Sequence, residues 1–272
     1  MKQLFIKMVF AVMAMTASAM VAALDHTHAG WSALLKKHIV IAADGKSSTA
    51  RYGEFAKDRA AVKKYIGELE AVTKAEYDGW SKNQKFSFLA NLYNAVTIDL
   101  MVEHYGKIKS IRDLGYRPWD SVWKKKIFKL FGNEFYLDGL EHEVLRGKGN
   151  FDDPRVHYAV NCASTGCPML GTEALQADKL DAQLNDLEKR FLSDRSRNRY
   201  NEATKQLEVS KIYDWFKVDF NSGFKGINTT NDYFAKFAKE LSDKPEIQQL
   251  IAQGKADIKY LDYDWTLNDA KR

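Results

Sequence analysis

Between Ser81 and Tyr105 the chain is apolar almost all the way round a helix: Phe86, Phe88, Leu89, Leu92, Val96, Ile98, Leu100 and Met101 point in many directions. A helix with no polar face has to be enclosed by the rest of the fold. Ser81 followed by Gln84 is a capping-box start, and Gly106 supplies the stop. Gln84, Ser87, Asn91 and Asn94 follow one another at steps of three, four and three, which puts them on a single stripe. Buried amides without partners cost about 1–3 kcal/mol each. The stripe therefore either ties the helix to neighbouring backbone or forms a pocket wall, with Gln84, Asn91 and Asn94 as the pocket candidates. Tyr93 points away from it and is expected to pack elsewhere.

The amino terminus has the form of an export signal. Met1-Lys2-Gln3 precedes a mostly apolar stretch, and Ala17-Ser18-Ala19 and Val21-Ala22-Ala23 suit a signal peptidase, so cleavage is expected after Ala19 or Ala23. Lys7 leaves Met8 to Met15 as an apolar core too short to span a bilayer. Removal of residues 1–23 leaves 39 basic and 36 acidic residues and lowers the formal charge from +5 to +3. That balance argues against nucleic acid as a partner. No later stretch reads as a membrane span, so partners are expected to be a small molecule, peptide or protein met in the periplasm, without stable membrane insertion. Residues 24–272 read as one domain with no linker or repeat, and 45% hydrophobic residues suffice for a large core.

Helical periodicity recurs at Trp31–His38, Ala56–Leu69, Leu140–Leu145 (with Asp138 as its cap), Thr172–Phe191, Ile212–Phe216, Asp232–Leu241 and Pro245–Gln253. Short strands are expected at Ile39–Ala42, in a hairpin over Ile127–Leu137, and at Val156–Val160, Leu207–Val209 and Ile258–Tyr263. The fold class is α+β, predominantly helical, with a small antiparallel sheet. The aromatic and acidic tail with Asp262, Asp264 and Trp265 is expected to dock back onto the core.

Reactive side chains concentrate in one segment. Asp153-Pro154-Arg155-Val156-His157-Tyr158-Ala159-Val160-Asn161-Cys162-Ala163-Ser164, followed by Cys167-Pro168, holds both cysteines of the chain. Together with Asn91-Leu92-Tyr93-Asn94-Ala95, Leu140-Glu141-His142 and the closing Asp262–Asn268, it resembles the domain of unknown function family 547. The resemblance spans most of the mature chain and implies occurrence in exported bacterial proteins and also in eukaryotic proteins with added regions. It brings no residue roles with it, so the site is argued from chemistry.

Three readings of the two sulfurs compete. An exported chain with two cysteines is exposed to oxidation, and a Cys162–Cys167 disulfide would close a short loop. Such a ring constrains the unfolded chain by only ~2 kcal/mol, so it is a local clamp. Alternatively, Cys167 is a nucleophile, placed by Pro168 at a helix start that lowers its pKa. His157 or His142 would then be the base, and Glu141, Glu143 or Asn161 the orienting partner. A straight strand limits this, because it would hold His157 and Cys162 up to ~16 Å apart on opposite faces. The third reading, zinc held by His142, His157, Cys162 and Cys167, has spacings outside the usual structural range. Arg155 is expected to pair with a carboxylate, with an anionic ligand as the alternative. The preferred expectation is a disulfide-clamped binding or interaction module needing no metal or cofactor. A thiol-dependent hydrolase or acyl transferase acting on amides is the alternative.

Overall fold

A computed structural model describes residues 23–117 and 119–270; the expected leader, save Ala23, lies outside them. The helix Lys82–His104 runs through the middle of the molecule, its start closed by the reciprocal Ser81–Gln84 capping box. From Phe86 to Ile98 every residue is buried, because other elements pack around it: the helix Arg59–Glu70, the short helix Tyr52–Phe55 and the segment Leu140–Leu145. Trp31 from the helix Ala29–His38 stacks on Tyr65 at 5.5 Å and closes the amino-terminal side of this core.

A second apolar cluster fills the carboxyl-terminal third, built from Tyr158, Phe191, Leu207, Tyr213, Phe220, Tyr233 and Phe234. Its buried tyrosines satisfy one another. The Tyr158 hydroxyl lies 2.6 Å from that of Tyr233, which donates to Glu188 at 2.7 Å.

Strands are short and scattered. Ile39–Ile41 pairs with Ser48–Ala50, Tyr116–Arg117 with Asp120–Ser121, and Phe128–Leu130 with Asn133–Phe135, all antiparallel. The three-stranded sheet is mixed. Gln206–Val209 pairs antiparallel with Arg199–Asn201 but parallel with Asp257–Tyr260, which returns after a helical crossover. The class is thus α+β and mostly helical, as expected, with one parallel pair.

The expectation of a strand at Val156–Val160 fails. Val156–Ala159 is a turn of helix, and only from Val160 does the chain extend. A short apolar run does not distinguish buried strand from buried helix. Here Asp153-Pro154-Arg155 starts the turn: the Asp153, Pro154 and Arg155 carbonyls accept from the amides of Val156, His157 and Tyr158. Within it His157 faces one cavity while Tyr158 enters the second cluster.

The helix expected from Thr172 begins only at Leu180. Side-chain amides occupy the backbone groups that a helix would use. Asn91 bonds both the N–H and the C=O of Leu175, and Gln183 bonds the Ala174 carbonyl and the Gln176 amide. Asp138 is not a cap either; it sits inside Leu137–Gly139, which runs into a π-helical turn, Leu140–Leu145.

Candidate functional site

The tail after Tyr260 is stitched across both halves of the molecule. The Gly166 amide donates to the Asp264 carbonyl at 2.8 Å, Asn268 donates to Ala163, and Ala50 donates to Asn268. This return places Tyr263 and Trp265 over the loop Cys162–Cys167. Gly166 permits the contact, since a Cβ there would lie 2.9 Å from the Tyr263 ring and 3.0 Å from the Asp264 carbonyl oxygen.

Cys162 and Cys167 are joined in a disulfide, with Cα atoms 6.4 Å apart. Asn161 braces the loop: its Oδ1 accepts from the Ala163 amide at 2.8 Å and its Nδ2 donates to the Pro168 carbonyl at 2.7 Å. Ala163 takes φ of 61°, a left-handed conformation costly for a residue with a Cβ, which that side-chain bond helps hold. Arg197 donates to the Cys167 carbonyl from the far side. The Tyr263 hydroxyl is 3.0 Å from Cys167 Sγ, 3.2 Å from Cys162 Sγ and 2.9 Å from Ser164 Oγ.

Above the disulfide opens a cavity of about 200 Å³. The central helix contributes Tyr93 and the π-turn region Asp138, Glu141 and His142. His157, the two sulfurs, Trp123, Trp215 and Phe216, and the tail residues Tyr263 and Trp265 complete the main lining. The π-turn lets neighbours share this wall. Its i to i+5 bond, from the Arg146 amide to the Glu141 carbonyl, widens the turn so that Glu141 and His142 both reach the cavity. Glu143 turns outward to accept from the Tyr136 hydroxyl.

His157 is buried, stacked on Phe216 at 4.0 Å, with Nε2 2.7 Å from Asp219 Oδ2. Burial pulls its pKa below the ordinary imidazole value, although Asp219 acts the other way. Burial pushes the Asp219 carboxyl up, but hydrogen bonds from His157 and from Arg146 Nε at 2.6 Å outweigh it and hold its pKa at about 2. With Asp219 ionised, Nε2 of His157 carries the shared proton. His142 bonds Arg146 through Nδ1 and lies 3.5 Å from Asp138 through Nε2. Burial raises the Tyr93 hydroxyl well above its usual pKa, and the adjacent Glu141, which accepts its hydrogen bond, adds to that.

Of the residues singled out from the sequence, Cys167, Cys162, His157, His142 and Glu141 meet at this cavity, and Asn161 sits behind it as a loop brace. The polar stripe does not reach it. Gln84 caps the central helix, Asn91 holds Leu175, and Asn94 holds Ala159 and Asn161; Asn91 and Asn94 border a different cavity. Arg155 is paired with Asp153 and Asp181 beneath Phe224, so its guanidinium has its anions. No helix begins at Pro168, which removes the dipole argument for a low Cys167 pKa.

Sequence reasoning missed Tyr93, Trp123, Trp215, Phe216 and Tyr263. Only the tail, expected to dock, gave a signal, and it carries Trp265 into the cavity. Among the described residues no group of three or more His, Cys, Asp or Glu is arranged to hold a metal, and no helix is long and apolar enough to cross a membrane.

Fold and site together define a mostly helical α+β protein with an aromatic cavity seated on a disulfide loop. Residues 77–192 match the family described as "Protein of unknown function, DUF547", and that stretch of the chain is a domain of this family. The match includes the central helix, the π-turn and the cysteine loop, but not the tail that completes the cavity. No curated protein and no solved structure matches the chain.

Proposed function

We propose that this protein is an exported binding module, and that the cavity above the Cys162–Cys167 loop takes a small organic molecule or a side chain of a peptide or protein partner. One observation carries the reading: six aromatic rings converge with a few polar groups on one concave site, the usual make-up of a ligand pocket. Trp215 is 45% exposed at its edge, an apolar surface that folding alone does not bury. The loop is held from behind by Asn161 and Arg197, so the site is preorganised before any ligand arrives. The test is ligand-observed NMR with a library of small aromatic and aliphatic fragments. Binders are expected to compete with one another and to lose their signal with the Trp215→Ala protein, which should keep its thermal stability. No binders, or binders indifferent to Trp215, would sink the reading.

A disulfide supports residence in an oxidising compartment, periplasmic or extracellular. Intact mass of the secreted, unreduced protein should show a chain beginning at Met20 or Leu24 and two hydrogens lighter than the dithiol. A specific contact set also favours a second reading, in which the disulfide is opened and Cys167 acts as a nucleophile. The Cys162 amide and the Tyr263 hydroxyl both donate to Cys167 Sγ, at 3.1 and 3.0 Å, and would stabilise a thiolate. Reduction by dithiothreitol, which is itself oxidised to its cyclic disulfide, would free both thiols. The binding reading expects the reduced protein to react with p-nitrophenyl acetate no faster than Cys167→Ser. A nitrophenol burst lost in Cys167→Ser and kept in Cys162→Ser would establish the thiol enzyme instead.

A further inference from the structure

Charge sorts the cavity more sharply than shape does. Its lining carries two carboxylates, Asp138 and Glu141, and no lysine or arginine. Arg146, behind it, is committed to Asp219. At the mouth three rings approach one another: Trp215 lies 5.0 Å from Tyr263 and 5.8 Å from Trp265, and Tyr263 lies 4.6 Å from Trp265. Aromatic faces attract cations through the ring quadrupole. One of these rings already does so within the chain, since Arg112 lies 5.3 Å from the Trp265 centroid, and so does Phe216 elsewhere in the lining, whose centroid lies 4.5 Å from Arg146.

We infer that the cavity's ligand is an organic cation, an ammonium or guanidinium group on an apolar body, held between the rings of Trp215, Tyr263 and Trp265 and the carboxylates of Asp138 and Glu141. This rests on the binding reading above and names its ligand class. An anionic ligand would meet like charge, and a neutral one would leave Glu141 with the Tyr93 hydroxyl and His142, whose Nδ1 is 3.9 Å away. The cavity's volume suits a small head group or one basic side chain rather than an extended chain.

Choline and its neutral isostere 3,3-dimethylbutan-1-ol separate charge from shape, with tryptophan fluorescence of the intact protein as the readout. Choline is expected to bind at least about tenfold more tightly than the alcohol, and to weaken as salt is added. Glu141→Gln and Asp138→Asn should each reduce choline binding several-fold while leaving the alcohol unchanged, whereas Trp215→Ala should weaken both. Equal binding of the two probes, or choline binding indifferent to both carboxylate variants, overturns the inference. If choline fails while neutral fragments still bind in a Trp215-dependent manner, the cation assignment falls and the binding module stands. If neither probe nor any fragment binds, both fall.

Discussion

Asn94→Ala is expected to lower the stability of the protein by about 3 kcal/mol, although it removes only one small amide. Asn94 is fully enclosed. Its Nδ2 donates to the Ala159 carbonyl at 2.8 Å, and its Oδ1 accepts from the Asn161 amide at 2.8 Å. These two backbone groups flank Val160, where the helical turn carrying His157 gives way to the extended chain leading to Cys162. Backbone polar groups in a dry interior are normally paired. Without Asn94 one donor and one acceptor lose their partners, at about 1–3 kcal/mol each. The measurement is urea unfolding, with a lower midpoint at unchanged slope. Asn94→Asp keeps the acceptor and loses the donor, so the Ala159 carbonyl goes unpaired and the variant must also hold a carboxylate in the core. A loss below about 1 kcal/mol for the alanine variant would mean that water replaces the amide, and the claim that this residue sets the loop would be abandoned. The same variant should weaken binding in the cavity, since His157 and Cys162 lie on either side of the junction it holds.

The central helix shows what the sequence could and could not reveal. Its burial, its capping box and its polar stripe follow from residue spacing alone, and the structure has all three. The use of the stripe did not follow, because a buried amide looks the same whether it faces backbone or ligand. The residue that reaches the cavity is Tyr93, one position off the stripe, and nothing in a helical period marks it. The four apolar neighbours of His157 fit a strand or a helix equally; the Asp153-Pro154-Arg155 turn decides for helix. That one change puts His157 and Cys162 on the same cavity rather than on opposite faces of a sheet. An α-helical rotation of about 100° per residue would set Glu141 and His142 apart, and the wider π-turn brings them together. The cavity's aromatic wall was invisible for a different reason. Trp123, Trp215 and Trp265 come from distant parts of the chain and meet only because the tail is hydrogen-bonded back across the cysteine loop.

Stability is expected to fall by about 3 kcal/mol between pH 6.5 and pH 4, with His28 as the main cause. His28 is buried, with Nδ1 2.8 Å from the Tyr65 hydroxyl and Nε2 without a partner. Burial, and secondarily the nearby His26, lowers its pKa from 6.5 to about 4, with Asp25 acting weakly in the opposite direction. In the unfolded chain the imidazole takes up a proton near pH 6.5; in the folded protein it does so only near pH 4. The unfolded state therefore gains protons first, so the stabilisation is complete above pH 6.5 and drains away as the pH falls towards 4. His157, whose pKa is also lowered by burial, adds to the loss in the same direction. The variant that isolates His28 is His28→Asn. The position has φ of 49°, a left-handed conformation that asparagine tolerates better than most residues, and asparagine does not titrate. Urea unfolding at pH 7.5 and pH 4.5 should give a much smaller drop for the variant than for the wild type, even if the variant is less stable at neutral pH. Parallel losses in the two proteins would rule out His28 as the source and shift attention to His157 and its partner Asp219.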